Sequence, residues 1–292
     1  MSQAQLVKPV PVARSAPLGV SIRKIALYAG FILVTLVFIL PLVWLFMTSL
    51  KPQSEYSSYP VQFFPSTPQW HNYVEAIINR PFMKLAWNTL QIAVPSAVLT
   101  VLSSALAGFA FARLNAPGKT LLFLLVLSML LVPRMVTTIP SFMLFSKFGL
   151  TNTYWPWYLW AIAGSSFNIF LFRQFFAQVP KDLEDAAEVD GCNRFRIFWQ
   201  IFLPVSGPVV ATVAIFHFQW VWGDWFNPNI LLSADKTTLA VGLASLYTDP
   251  KGNALDTIYL AAVVVYLLPM LVIFLFAQKW IVQGIVTTGL KG

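Results

Sequence analysis

Residues 25–50 contain no charged side chain. A helix needs roughly 20 consecutive apolar residues to cross the hydrocarbon core of a bilayer, and this run is long enough. It also outlasts the apolar core of a cleavable signal, about 7–15 residues, and no small-residue cleavage site follows it. It therefore reads as a first membrane helix, bent at Pro41. Further apolar stretches near 86–112, 120–145, 154–172, 208–232 and 258–280 bring the expected number of spans to six. Pro133, Arg134 and Pro140 make the third the least regular of them. Trp44, Trp87, Trp155, Trp157, Tyr158 and Trp280 fall near expected span ends, where aromatic rings favour the headgroup region or simply pack.

Composition agrees. Hydrophobic residues make up 58% of the chain and charged ones 10%, against about half and about a quarter in an average soluble domain. The net charge of +8 comes from basic residues scattered singly between apolar runs. They form no patch, so the charge points to membrane topology and not to nucleic acid.

With the N-terminus inside, the inner segments carry Lys8, Arg14, Arg23, Lys24, Arg113, Lys119, Arg173, Lys181, Arg194, Arg196, Lys279 and Lys291. The outer segments carry Lys51, Arg80, Lys84, Lys147, Lys236 and Lys251. Twelve against six places both termini in the cytoplasm. The expected organisation is a cytoplasmic tail over 1–21, a membrane domain over 22–283 and a second cytoplasmic tail over 284–292. Segments 51–85 and 233–257 become outer loops, and 173–207 faces the cytoplasm.

Catalytic constellations are missing from the sequence. Cys192 is the only cysteine, and His71 and His217 are the only histidines, which leaves no disulfide and no multi-histidine metal set. Gly118-Lys119-Thr120 ends like a phosphate-binding loop, but the first glycine of that pattern is replaced by Arg113. Asn115-Ala116-Pro117-Gly118 reads instead as a turn. Energy must therefore come from an ion gradient or from a partner that hydrolyses ATP.

Acidic residues are rare in this chain, yet Asp182, Glu184, Asp185, Glu188 and Asp190 crowd together after Pro180. A proline at a helix start, followed by acids facing the positive end of the dipole, predicts a short helix. Leu183, Ala186, Ala187 and Asp190 share one small, mostly apolar face. Gly191 ends the helix in a left-handed conformation and permits close approach of another backbone. A second short helix follows, with Phe195, Phe198, Ile201 and Phe202 expected to be buried and Pro204 closing it. A merely solvated acidic loop accounts for the charge but not for the alanine pair, the glycine or the aromatic return.

The segment resembles the coupling loop of binding-protein-dependent ABC importer permeases. That family's pattern of Glu-Ala-Ala, three residues, Gly, and a later Ile/Leu-x-Leu-Pro appears here as Asp185-Ala186-Ala187, Gly191 and Ile201-Phe-Leu203-Pro204. Asp185 departs from the family's glutamate and reaches one methylene less far. Pro133-x-x-Val136-x-x-Ile139-Pro140, Gly149-Leu150-Thr151-Asn152-Thr153-Tyr154 and the C-terminal stretch from Gln283 to Gly292 resemble the carbohydrate-uptake, maltose-type branch.

The resemblance implies an all-α, MetI-like type I fold with six spans and a coupling helix between the fourth and fifth. It implies a heterodimer with a second permease, two copies of an ABC ATPase that bind ATP and magnesium, and an extracytoplasmic solute-binding protein. The chain itself would bind no cofactor and catalyse nothing, in the plasma membrane of a bacterium or archaeon. Coupling would fall to Leu183, Asp185, Ala186, Ala187, Glu188, Asp190, Gly191 and Phe195, and Thr287, Thr288 and Lys291 would reach the ATPases from the tail.

Two charges fall deep in expected spans, Arg134 and Asp224. They stand roughly 21 and 25 Å above the inner ends of their helices, close enough for an ion pair. Alternatively Arg134 snorkels to the outer headgroups. Gln219, Trp220, Trp222, Asp224, Trp225 and Asn227 combine flat apolar rings with polar groups, a lining that suits a sugar and equally an ordinary helix interface. The rival functions are an ion-gradient-driven secondary transporter, which needs acids near the midplane, and a membrane-embedded enzyme.

Overall fold

The computed structural model describes residues 22–249 and 251–289. Every regular element among them is helical, apart from an isolated antiparallel bridge between Thr248 and Ala254. In chain order they are α1 (Ile22–Ser49), α2 (Gln53–Tyr56), α3 (His71–Ile77), α4 (Phe82–Arg113) and α5 (Lys119–Ser128). Next come α6 (Arg134–Lys147), α7 (Trp155–Ala163), α8 (Ser166–Gln178), α9 (Lys181–Val189) and α10 (Arg194–Ile197). After a π-helical turn at Phe198–Phe202 follow α11 (Leu203–Val205), α12 (Gly207–Trp222), α13 (Phe226–Leu231), α14 (Leu239–Ser245) and α15 (Asp256–Gly289). The tail at 1–21 and Lys291 lie outside the described residues, as do the side chains of Arg134, Thr287 and Thr288.

Among the described residues, three helices are long and apolar enough to cross a bilayer unaided: Lys24–Ser49, Phe82–Arg113 and Asp256–Gln278. Counting each of two sharply bent pairs as one span raises the number to five, so length and composition do not reach the expected six. The third expected span bends by 102° between Lys119–Leu131 and Met135–Lys147. Pro133 causes this, because a proline pushes the preceding residue out of the helical region, and Val132 is extended at φ −80°, ψ 116°. The fourth span breaks between α7 and α8. There the Ala161 carbonyl accepts the Gly164 N–H at 3.1 Å and, from α4, the Ser103 hydroxyl at 2.7 Å.

Residues Met1–Leu45 form one unit and Phe46–Gly292 another. In the first, the apolar side chains over 25–43, Phe31, Leu33 and Phe38 among them, are exposed, and Trp44 and Leu45 are half-buried. The second is arranged around α4, whose 32 residues span about 48 Å. Helices α7, α8, α12 and α14 all pack on it. Pro95 removes the N–H that would bond the Gln91 carbonyl, and the Tyr158 hydroxyl takes that carbonyl at 2.8 Å. Gly108 brings α8 close: a Cβ there would lie 2.5 Å from the Phe172 Cβ. Where α12 crosses α4, the buried His217 ring lies 3.2 Å from Thr100 Oγ1 through Nδ1 and 3.0 Å from Ser96 Oγ through Nε2.

Three side-chain clusters succeed one another along α4. Near its start, Phe82 and Leu85 meet Trp222, Leu239, Tyr247 and Ala261. In the middle, Ile92 and Ala93 meet Phe145, Trp157 and Val221. Near its end, Val101, Ala105 and Phe109 meet Phe172, Phe176, Ala187, Ile197, Phe198 and Phe202. The last cluster carries α9, which therefore sits at the opposite end of α4 from α14.

Candidate functional site

Pro180 precedes α9 in an extended conformation, φ −56° and ψ 137°, with Asp182 and Glu184 in the first turn. The helix ends as its composition demands. Gly191 has φ +79°, the Cys192 N–H donates to the Ala187 carbonyl at 2.9 Å, and the Gly191 N–H to the Glu188 carbonyl at 3.0 Å. These are the paired bonds of a Schellman cap, which a residue with a Cβ disfavours. Asn193 then starts α10 by accepting the Arg196 N–H at 2.8 Å.

Of the small, mostly apolar face only Ala187 turns inward. Ala187 and Glu184 are buried, whereas Leu183, Asp185, Ala186, Glu188 and Asp190 are exposed. Val189, 88% exposed, is the most open apolar residue of the helix and had no place in the sequence argument. On the second short helix, Phe198 and Phe202 are buried, as expected, and Ile201 is only half-buried. Phe195 is not buried. It is 64% exposed and touches Trp199 with ring centroids 6.0 Å apart, because one turn of α10 carries it to the side facing away from Ile197. Leu183, Val189 and Phe195 are thus exposed apolar side chains among carboxylates.

Glu184 is 4% exposed although it is ionisable, and its carboxylate is held by two guanidinium groups. Arg113 Nη1 lies 3.7 Å from one oxygen, and Arg194 Nη1 contacts the other while also reaching Glu188 at 2.6 Å. Arg113 further donates through Nε and Nη2 to the Phe176 carbonyl at 3.1 and 2.6 Å, and through Nη2 to the Val179 carbonyl. Its guanidinium stands 5.1 Å from the Phe202 ring centroid. Sequence reasoning missed this network because its members lie on separate helices. The only available signal was an arginine at the end of an apolar span. Asp185, by contrast, is exposed and pairs loosely on the helix surface with Lys181 at 3.9 Å. Such an exposed pair contributes little. Lys119 of the false phosphate loop donates to the Leu114 carbonyl at 2.7 Å and closes the turn.

The second candidate set divides. Trp222 is a packing residue. It stacks between Phe218 and Tyr266, at 5.5 and 5.6 Å, and its indole N–H donates to the Tyr266 carbonyl at 3.2 Å. Asp224 is buried and starts α13, accepting the Asn227 backbone N–H at 3.1 Å and its side-chain amide at 2.9 Å. The Trp157 indole lies 3.5 Å from the same carboxylate. Gln219 and Trp225 are exposed, and Trp220 and Asn227 are half-buried, so those four carry what remains of a polar and aromatic lining. The proposed partner of Asp224, the Arg134 side chain, lies outside the described residues.

Residues 100–287 match the family model described as the binding-protein-dependent transport system inner membrane component. The chain belongs to that family. It is 35% identical over 268 residues to an arabinooligosaccharides transport system permease of Halalkalibacterium halodurans, covering 90% of this chain and 95% of that one. It is 31% identical over 280 residues to a sulfoquinovosyl glycerol transport system permease of Agrobacterium fabrum, covering 94% and 95%. The fold is that of a subunit in the crystal structure of a bacterial ABC transporter that imports the acidic polysaccharide alginate. The TM-score is 0.78 at 19% identity, over 89% of this chain and 96% of that one. This protein is thus a membrane permease subunit of a binding-protein-dependent ABC importer, and not an enzyme. The ion-gradient alternative is not favoured.

Proposed function

We propose that the chain forms, with a second permease, the path of a sugar or sugar-like solute across a bacterial or archaeal plasma membrane. Relatives named for oligosaccharide and glycosyl glycerol transport support the solute class. The observation that carries the coupling role is the division of α9: Glu184 and Ala187 are fixed inward while Leu183, Val189 and the nearby Phe195 stand unburied. A helix held firmly on one side and left apolar on the other suits a docking groove. Two ATPase subunits, binding ATP and magnesium, grip α9 with Asp185, Ala186, Glu188, Asp190 and Gly191 at the contact, and Thr287, Thr288 and Lys291 reach them from the C-terminal tail. Both termini are cytoplasmic, and an extracytoplasmic binding protein delivers the solute. Gln219, Trp220, Trp225 and Asn227 line the path, with Asp224 fixing Asn227.

The test is reconstitution with the ATPase and binding-protein partners, measuring solute moved per ATP hydrolysed. Asp185→Asn is expected to lower that ratio, because its carboxylate is exposed and free to exchange Lys181 for a basic residue of the ATPase. An exposed pair is worth about 1 kcal/mol or less, so the complex loosens without falling apart. Asp182→Asn is expected to leave the ratio unchanged. Equal behaviour of the two variants removes the specific role of Asp185, and uptake without any ATPase overturns the proposal.

A further inference from the structure

Arg113 and Glu184 belong to none of the motifs that identify the family, yet they join the elements that coupling must connect. Glu184 lies on the inner side of α9, with 5% of its side chain exposed, and Arg113 closes α4 with 12% exposed. Neither can meet a partner protein while α9 stays in place.

We propose that Arg113 and Glu184 form the strut through which displacement of α9 reaches the membrane helices α4 and α8, as positioning residues for energy coupling. The proposal rests on α9 being the docking element. Apolar packing alone transmits such a displacement poorly. Ala187 shares a cluster with Phe109, Phe176 and Phe198, but contacts of this kind have no direction and allow sliding. The Arg113–Glu184 ion pair, at 3.7 Å between two largely buried side chains, does have direction, because it pulls along the line between its charges. A polar pocket of about 280 Å³ lies beside the ion pair, lined by Arg113, Asn115, Lys181, Glu184, Glu188 and Arg194.

Arg113 makes the connection threefold. Its own helix is α4, its Nε and Nη2 hold the Phe176 and Val179 carbonyls at the end of α8, and its Nη1 holds Glu184 of α9. A cation at two helix C-termini is also where the peptide dipoles favour it. Arg194, half-exposed, braces Glu184 against Glu188 within the same surface segment. It stabilises α9 without linking it to a membrane helix, so its loss should matter less.

The experiment uses the complete transporter in proteoliposomes with Arg113→Gln, Glu184→Gln, the double variant and Arg194→Gln. The ATPase subunits should stay bound and hydrolyse ATP in all four. Solute moved per ATP should fall roughly tenfold in each of the first two. The double variant should be no worse than the worse single, since each single already breaks the Arg113–Glu184 link between α4 and α9. Glu184→Asp, which keeps the charge but withdraws it by one methylene, should show a partial loss and serves if the neutral variants assemble poorly. Multiplying effects in the double variant, loss of the ATPase from the complex, or wild-type ratios in the singles and in Glu184→Asp would each overturn the strut. Failure of the docking reading itself appears elsewhere: Val189→Cys would then fail to crosslink to the ATPase, whatever happens at 113 and 184.

Discussion

Gly191 is constrained by its backbone and not by space, since a Cβ placed there meets nothing within 4 Å in this chain while φ stands at +79°. A residue with a Cβ pays about 1–2 kcal/mol in that left-handed conformation, and asparagine less than most. Gly191→Asn is therefore expected to keep the Schellman cap and most ATP-driven uptake, whereas Gly191→Trp inserts normally and loses uptake. Thermal melting in detergent beside uptake in proteoliposomes checks this. If Gly191→Asn also loses uptake with an unchanged melting temperature, a partner's close approach and not the cap is what the glycine serves. The left-handed glycine was legible from the sequence, because a helix with a small apolar face must end somewhere and only glycine ends it cheaply. Whether Glu184 or Asp185 turned inward was not legible. Both carry the same charge on adjacent positions, and only the arrival of Arg113 from another helix separates a buried, doubly paired carboxylate from an exposed one.

Helices were readable where one long apolar segment forms a single element, as in α1, α4 and α15. They were misread where other helices complete them. The fourth expected span, 154–172, reads as one apolar stretch only if Gly164, Ser165 and Ser166 are passed over, and it breaks there, beside a serine of α4 that gives the Ala161 carbonyl a second donor. The hydroxyl pattern of α4 belongs to its packing with α7 and α12, and no local rule in 154–172 reveals it. The same dependence explains the reassignment of Trp222, whose partner Tyr266 lies on α15. The α4–α8 contact offers a direct check. Gly108→Val places a branched Cβ against the Phe172 Cβ and within 3.0 Å of the Arg173 nitrogen, atoms that no rotamer change can move aside. Overpacking of this kind costs roughly 1–3 kcal/mol, so a lowered melting temperature and reduced yield from the membrane are expected. Unchanged melting would show that α4 and α8 do not approach so closely.

Across the whole molecule, the three clusters along α4 give a polarity that the charge count alone only suggested. Arg113, α9 and the Phe198–Phe202 turn share one end, while Phe82, α14 and Tyr247 share the other. The chain from α14 to α15 turns back through a loop in which the Asp249 carboxylate accepts the backbone N–H groups of Lys251 and Asn253, both at 2.8 Å. The Asn253 side chain, which also donates to it, heads the hydrogen bonds that hold the carboxyl of Asp249 below its usual range. If twelve inner and six outer basic residues set the orientation, α9 faces the cytoplasm and the Asp249 loop faces outward. Cysteine accessibility decides this. Cys192 is the only native thiol and packs partly against the α9 cluster, so Cys192→Ala supplies a background in which Val189→Cys and Lys251→Cys are tested singly. Both positions are exposed. In intact cells a membrane-impermeant thiol reagent should label Lys251→Cys at once and Val189→Cys only after the membrane is opened. The reverse order would invert the topology and place α9 beyond the reach of any cytoplasmic ATPase. Labelling of both in intact cells would mean that the two ends of α4 do not lie on opposite sides of one bilayer.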